Sequence, residues 1–416
     1  MAIMKKKPRS LAIMKRTSHN PKLEVLTFGC RLNIAESETM QRRATEAGLC
    51  NAFIINTCAV TAEAERQAGQ AIRRLRRENP TSKIIVTGCS SQINPQKYAM
   101  MREVDGIIGN DEKLKSDSFI KLAGKNLAKA TASNEIEASP LSLMQRAFVQ
   151  VQNGCDNKCT FCIIPFGRGK SRSASFEKVA ETVRDHVAEG FNEIVLTGVD
   201  ISSYGRDLPG EPTLGYMVRH ILQKVPNLRR LRLSSLDPAG IDEDLWELFK
   251  EEPRLMPHIH LSLQSGDDLI LKRMKRRHLR ADILRLVERA RKIRPDIVFG
   301  ADVIAGFPTE TEEMFKNTYD LIEQCGITWL HVFPYSSRKG TPAARMPQVH
   351  GSKRKERADR LRTLGETAAR HHYKSIVGKT VEVLVENNNI GCTPQFAKLK
   401  LDGKFPVAQL VDVRCV

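Results

Sequence analysis

The stretch AFVQVQNGCDNKCTFC, residues 147–162, begins as an apolar, β-branched run and ends in a loop that carries Cys155, Cys159 and Cys162 within eight residues. A strand that feeds straight into three closely spaced thiols points to a metal centre. A cubane cluster holds four irons, so three cysteines take three of them and leave the fourth iron open to a further ligand. A structural zinc ion is the alternative, but it asks for four protein ligands, and no fourth Cys or His lies nearby in sequence.

Working outward, six strand–helix repeats can be counted from Arg146 to about Pro334, with strands at AFVQVQN, EIVLTG, RRLRLSS, HIHLSLQ, VFGADVIAG and WLHVFPY. Right-handed crossovers wind such repeats into a barrel-like parallel sheet, and six units predict an incomplete (β/α)6 barrel with one side open. Ligand-binding residues are expected where strands end. The candidates there are Gly198 in LTGVD, Ser234, Gln264, and Asp302 in GADVIAGFPTE, with Phe161 beside the last cysteine. For each of these a purely structural role stays open. Phe161 in particular is either a backbone contact or an aromatic shield against water.

Ahead of the barrel, LEVLTF, AFIIN, KIIVTG and DGIIG alternate with helical patterns near 35–47, 61–77 and 94–102, which predicts a small α/β domain with a parallel sheet. Three more cysteines, Cys30, Cys58 and Cys89, each follow one of these strands, at spacings of 28 and 31 residues. Strand C-termini of a parallel sheet share one edge, so the three can converge into a second set with three ligands. Three isolated core cysteines are the alternative. Beyond a basic helix near 352–374, KTVEVLVE, FAKLKLD and AQLVDVRC read as three short alternating strands of a β module, too small to stand alone and expected to dock on the main body. The resulting division is a basic disordered tail over 1–20, an α/β domain over 21–125, a linker over 126–143, the barrel over 144–375 and the β module over 376–416.

With 66 Lys plus Arg against 48 Asp plus Glu, the net charge is +18, which favours polyanionic partners, nucleic acid first. The runs 73–77, 168–172 and 272–277 are candidate phosphate contacts, each with a solvated face as its plain alternative. No stretch approaches the roughly 18 apolar residues of a membrane span. Ten cysteines are too sparse for a disulfide scaffold and suggest reduced thiolates in a cytoplasmic protein. Cys50, Cys325, Cys392 and Cys415 read as core-filling or inert. The first 20 residues lack the apolar centre of a secretory signal, and Met14 is an alternative start.

The Cys-x3-Cys-x2-Cys spacing after a first barrel strand resembles the signature of the radical S-adenosylmethionine (SAM) superfamily. That resemblance implies a [4Fe–4S] cluster at Cys155, Cys159 and Cys162 whose open iron binds SAM, an amino-group loop at Gly198, and an adenine-side segment at 300–310. Two three-cysteine sets followed by a TRAM-like module resemble the methylthiotransferases over nearly the whole chain. TFGCRLN, NTCAVTAEAERQ, CDNKCTFCIIPFGRGKSRS, HIHLSLQSGDDLILKRMKRRH and HVFPYSSRKGTPAARMPQV are closest to the branch that acts on N6-threonylcarbamoyladenosine in tRNA. The resemblance implies two [4Fe–4S] clusters, a sulfur donor, and a reduced flavodoxin- or ferredoxin-like electron donor. Ser90-Ser91 departs from the family wording, and the C-terminal module looks one strand short. The competing readings are a methylthiotransferase for isopentenyladenosine in tRNA or for a ribosomal protein aspartate, and a non-catalytic iron-sulfur RNA-binding redox sensor.

Overall fold

A computed structural model describes residues 23–124 and 145–416. The expected tail and linker lie outside the described residues. The described residues form two compact units, 23–124 with Phe166–Arg168, and 145–165 with Gly169–Val416. No helix among the described residues is long and apolar enough to cross a membrane.

In the first unit β1 (Leu23–Thr27), β2 (Ala52–Thr57), β3 (Lys83–Gly88) and β4 (Gly106–Ile107) pair in sequence order, all parallel. β2 is buried along its whole length, as a central strand covered on both faces must be. Helices Arg31–Glu46 and Ala62–Glu78 return the chain, the second opened by Thr61, whose hydroxyl accepts from the Ala64 amide. The single helix expected over 94–102 is instead two one-turn helices, Cys89–Ile93 and Pro95–Ala99. Asn94 ends the first and caps the second, and Pro95 cannot continue a ladder begun before it.

In the second unit the six expected strands are all present: β5 (Ala147–Gln150), β8 (Glu193–Thr197), β9 (Arg230–Leu233), β10 (His258–Gln264), β11 (Val298–Ala305) and β12 (Trp329–Pro334). β6 (Gln152–Asn153) and β7 (Arg172–Ser173) form a small antiparallel ladder at the mouth of the cysteine loop. The parallel order is β5-β8-β9 and β10-β11-β12, joined by parallel bridges at Leu231–Leu255 and Leu236–Leu261. Among the described residues β5 and β12 each pair on one side only, so the barrel is open between them. Helix Gly351–Ile376 lies along β12, with Gly365 so close that a Cβ there would sit 2.9 Å from the Leu330 Cβ.

The C-terminal module has four strands rather than three: β13 (Thr380–Glu386), β14 (Ile390–Cys392), β15 (Lys398–Lys400) and β16 (Leu410–Arg414), antiparallel in the order β15-β14-β13-β16. β14 is three residues long and contains a glycine, too short to show alternation in sequence. The module docks under the barrel, as expected, at the N-terminal ends of the strands. Arg230 and Glu193, the first residues of β9 and β8, lie on the barrel side of this seam. Arg230 donates to the Glu382 carbonyl (2.8 Å) and the Cys392 carbonyl (3.1 Å). Arg146 pairs with both Glu193 and Glu386, Arg232 with Glu193 and the Pro394 carbonyl, and Phe396 stacks on His258 with ring centroids 5.2 Å apart. Cys325, Cys392 and Cys415 are buried as expected, whereas Cys50 is exposed.

Burial alone would raise the Glu193 carboxyl, but Arg232, Arg146 and Arg230 more than offset it and hold it at about 2. Its contribution to stability is therefore complete above the usual carboxylate range and is lost as pH falls toward about 2. Glu193→Gln strands buried guanidinium groups without their carboxylate. It is expected to cost about 3–5 kcal/mol in urea unfolding at pH 7 and to flatten the acid limb of the stability curve. An unchanged midpoint would refute this account of the seam.

Candidate functional site

Register explains how the first three cysteines meet. Thr27 pairs with Asn56 and Asn56 with Thr87, so β1, β2 and β3 end level with one another. Cys30, Cys58 and Cys89 leave the sheet at this one edge, within three residues of that row. Two of the three turns that carry them, those of Cys30 and Cys89, need glycine. Gly29 has φ +99° and packs so tightly that a Cβ would lie 2.6 Å from the Cys58 Sγ; Gly88 has φ +98° and a Cβ there would lie 2.3 Å from the Thr57 carbonyl oxygen. Asn33 fastens two of the turns together, its amide donating to the Phe28 carbonyl (2.7 Å) and the Thr57 carbonyl (3.2 Å). Thr57 links the third, donating from Oγ1 to the Thr87 carbonyl (2.7 Å) and accepting from the Ser91 amide (3.2 Å). Ser90 and Ser91, which depart from the family wording, serve this local packing: Ser90 bonds the Tyr98 hydroxyl and Ser91 Oγ donates to the Gly88 carbonyl.

Burial pushes the Cys58 thiol up to about 12, and the neighbouring Cys30 and Cys89 push in the same direction. Burial raises the Cys30 thiol as well, so neither of these two ionises by itself at neutral pH. A cation that binds thiolate removes the protons, so the donor set fits a soft metal or an iron-sulfur cluster.

In the second unit the three thiols come from one loop. Gly154 turns the chain at φ +73°, where a Cβ would lie 1.8 Å from the Lys170 carbonyl oxygen, and the Cys155 amide donates to the Gly169 carbonyl (3.1 Å). Burial raises Cys162 to about 12 and Cys155 to about 11, with the neighbouring thiols adding to it. The same fit to a cation-bound thiolate set holds here.

The other strand ends gather around this loop through groups that sequence reading missed. Gln152 Oε1 accepts from the Val199 and Asp200 amides (3.0 and 2.9 Å), while its Nε2 donates to the Gly154 carbonyl and Ser171 Oγ (both 2.8 Å). Asp200 accepts from the Asn157 amide group (2.7 Å), tying the Gly198 loop to the cysteine loop. Arg276, read from sequence as part of a phosphate-binding run, points inward with its side chain 7% exposed. It donates to Cys159 Sγ (3.6 Å), Asp237 (3.1 Å) and the Ser262 carbonyl (2.9 Å). Its Nε–H is buried without a protein acceptor, a donor left over beside the three thiols. Arg277 pairs with Asp237 as well, so these two arginines are removed from the candidate phosphate contacts. Arg76 is likewise spent on Asp105 and three backbone carbonyls, and Arg168 on Glu36 and Asn33. Lys170, Arg172, Lys272 and Lys275 stay exposed.

The sequence candidates fall in different settings. Gly198 is a position of close approach, but to protein rather than to open space: a Cβ there would lie 2.8 Å from the Gln152 carbonyl oxygen. Ser234 is buried after β9 with its amide bonded to the Leu196 carbonyl (3.0 Å). Gln264 ends β10 in the left-handed region, φ +67°, an uncommon conformation for a side-chain-bearing residue. Phe161 turns its ring into an apolar cluster against Phe307, centroids 6.3 Å apart, in keeping with the shielding alternative. Asp302 lies within β11 rather than at its end, and both His260 Nε2 (3.0 Å) and His331 Nδ1 (3.2 Å) bond its Oδ1. Burial would raise this carboxyl, but the two imidazoles hold it well below the usual range.

A family model described as the radical SAM superfamily matches residues 149–322, and one described as an uncharacterized protein family, UPF0004, matches residues 22–109. The chain is 52% identical over 404 residues to the threonylcarbamoyladenosine tRNA methylthiotransferase MtaB of Rickettsia prowazekii, covering 96% of each. It is 33% identical over 400 residues to the tRNA-2-methylthio-N(6)-dimethylallyladenosine synthase of Roseobacter denitrificans, covering 88% of each. Among solved structures, the radical S-adenosylmethionine methyltransferase TsrM from Kitasatospora setae superposes with a TM-score of 0.52 at 15% identity, over 75% of this chain and 70% of its own. That likeness concerns the fold.

Gly154→Ala tests the geometry of the second loop. It is expected to lose about four irons per chain after anaerobic reconstitution, because the clash with the Lys170 carbonyl opens the loop. Gly190→Ala, also at positive φ but with nothing within 4 Å of a Cβ there, is the control and should cost about 1 kcal/mol of stability without loss of iron. Equal iron in the two variants would sink the argument.

Proposed function

The chain belongs to the radical SAM methylthiotransferases, in the branch that acts on threonylcarbamoyladenosine in tRNA, and we propose that its two cysteine sets divide that reaction between them. It is a transferase that uses SAM and a [4Fe–4S] cluster to place a methylthio group on N6-threonylcarbamoyladenosine in tRNA. In this reading Cys155, Cys159 and Cys162 hold the SAM-binding cluster, and Cys30, Cys58 and Cys89 hold a second cluster that presents the sulfur. The bound clusters and SAM supply the electron and the carbon radical needed to break an unactivated C–H bond. What carries the reading is the presence of two three-thiol sets, each at the C-terminal ends of parallel strands and each one ligand short of filling a cubane.

The protein groups have separable tasks. Arg276, with an unspent Nε–H, suits the carboxylate of SAM. The Gly198 loop, held by Gln152, offers the amino group its place. Asp302, whose Oδ1 takes both imidazoles, keeps Oδ2 for a hydroxyl donor such as a ribose. Gln264, with positive φ at the end of β10, and Ser234, directly after β9, are the strand-end residues assigned to the same ligand. Phe161, Phe307 and Tyr335 pack an apolar wall on one side, which limits the access of water. Exposed Lys170, Arg172, Lys272 and Lys275 provide phosphate contacts to tRNA. A reduced flavodoxin- or ferredoxin-like protein as electron donor, a separate sulfur donor, and a cytoplasmic location complete the reading.

The experiment is mass spectrometry of tRNA nucleosides from cells that lack the gene and carry the wild type, Cys159→Ala or Cys58→Ala. Only the wild type should restore the 2-methylthio derivative. With purified protein, Cys58→Ala should still cleave SAM on reduction while Cys159→Ala should not. Wild-type protein should hold about eight irons. A Cys58→Ala protein that restores the modified nucleoside would overturn the division.

A further inference from the structure

The first unit buries two cations beside its three cysteines. Lys113 is 0% exposed and Glu36 1%, with Lys113 Nζ 2.7 Å from Glu36 Oε2. Arg168, 3% exposed, takes the same carboxylate in a two-pronged contact, Nη1 to Oε1 at 2.7 Å and Nη2 to Oε2 at 3.0 Å, and also reaches Asn33 Oδ1 at 2.6 Å. Asn33 is the residue that fastens the Cys30 and Cys58 turns. Lys113 Nζ lies 3.5 Å from Asn56 Oδ1, in the register row that sets the three turns level. Gly167, next to Arg168, packs on Cys89 so that a Cβ there would lie 3.3 Å from the Cys89 Cβ, and Asn110 holds the Gly167 carbonyl at 2.5 Å.

Replacing a buried ion cluster by apolar side chains of the same volume is often neutral or stabilising. Stability alone gives no reason to keep two cations here. Arg168 thus follows directly on the residue packed against Cys89 and bonds the asparagine that holds the Cys30 and Cys58 turns, so a thiolate at these positions meets its charge at short range. Charges this close, away from water, interact far more strongly than surface pairs.

We propose that Lys113 and Arg168, joined through Glu36, are positioning residues that supply the fixed positive charge against which an anionic sulfur ligand, hydrosulfide or an alkylthiolate, is held at the Cys30, Cys58 and Cys89 site. This rests on the reading that these cysteines carry a second cluster. Glu36 fixes where the two side chains sit, its carboxylate favouring the charged form of Lys113 against the burial and the Arg168 charge that pull it below the usual lysine range. Their effect is on how tightly the thiolate is retained and how easily the cluster accepts an electron, since nearby positive charge raises a cluster's potential.

The test uses the full chain with Cys155, Cys159 and Cys162 replaced by Ala, so that only the second site can hold iron, alone and with Lys113→Met or Lys113→Arg added. Iron is counted after anaerobic reconstitution, the midpoint potential is followed by electron paramagnetic resonance, and methanethiolate is titrated as the probe. The parent should hold about four irons. Lys113→Met should have a more negative midpoint and bind methanethiolate about tenfold more weakly, about 1.4 kcal/mol, while Lys113→Arg should stay close to the parent. Should Lys113→Met fail to hold iron, retention of four irons by Lys113→Arg supports the role of charge. The proposal is overturned if Lys113→Met matches the parent in midpoint and affinity, or if Lys113→Arg behaves as Lys113→Met does. A parent that holds no iron overturns the second-cluster reading itself, and the inference with it.

Discussion

Parallel pairing is the constraint on which both sites depend. A parallel ladder obliges the chain to return through a helix before each new strand, so every strand leaves the sheet at the same edge. In the first unit this alone brings together cysteines 28 and 31 residues apart, because Thr27, Asn56 and Thr87 share one register row. A slip in register along one strand would move a cysteine by a residue and turn the neighbouring side chains to the wrong face. The first and third turns have no room for a side chain before the cysteine, which is why Gly29 and Gly88 stand there with positive φ.

The second unit uses the same constraint for a different end. Its thiols come from a single loop, which closes at little entropic cost, so the parallel sheet is free to deliver the groups around them. Gln152, the Gly198 loop, Ser234 and Gln264 all arrive from strand C-termini, and Arg276 reaches them from the turn after the helix that follows β10. The opposite end of the barrel is shut by the Arg146, Arg230, Arg232 and Glu193 network and by the β13–β16 module beneath it. Closing one end with ions locks the module in orientation as well as position, since each guanidinium fork accepts partners in only a few directions.

Much of this was legible in the sequence, for reasons that differ by element. The six barrel strands stood out because each is a short run rich in apolar residues bounded by polar turns, continuous in β8 and alternating in β9 and β10. The two cysteine sets stood out because chemistry, rather than packing, dictates their type and spacing. β14 did not, since three residues with a glycine carry no period. The basic runs misled more seriously. Arg276 and Arg168 look in sequence like their exposed neighbours Lys275 and Lys170, yet both are buried. The direction of a side chain in a turn depends on backbone angles such as the +57° φ at Lys275, and a one-dimensional charge count does not contain them. Asp302 looked like a strand-end ligand, and its two imidazole partners come from strands 42 and 29 residues away in sequence.

Once the buried arginines are separated from the surface ones, a common plan emerges. Each three-thiol set has a guanidinium beside it, and each guanidinium is anchored by a buried carboxylate: Arg276 by Asp237, Arg168 by Glu36. The carboxylate prevents a long, flexible cation from swinging out to water; Arg276 keeps an N–H for Cys159 Sγ, and Arg168 keeps one for Asn33, which holds the Cys30 and Cys58 turns. An unanchored lysine on the surface would supply the same charge but not the same position, and a screened charge a few ångströms further away has little influence on a metal-bound thiolate. The anchoring acid thus does for the cation what the glycines do for the cysteines: it holds a group where its chemistry is effective, at an energetic cost that the rest of the fold sustains.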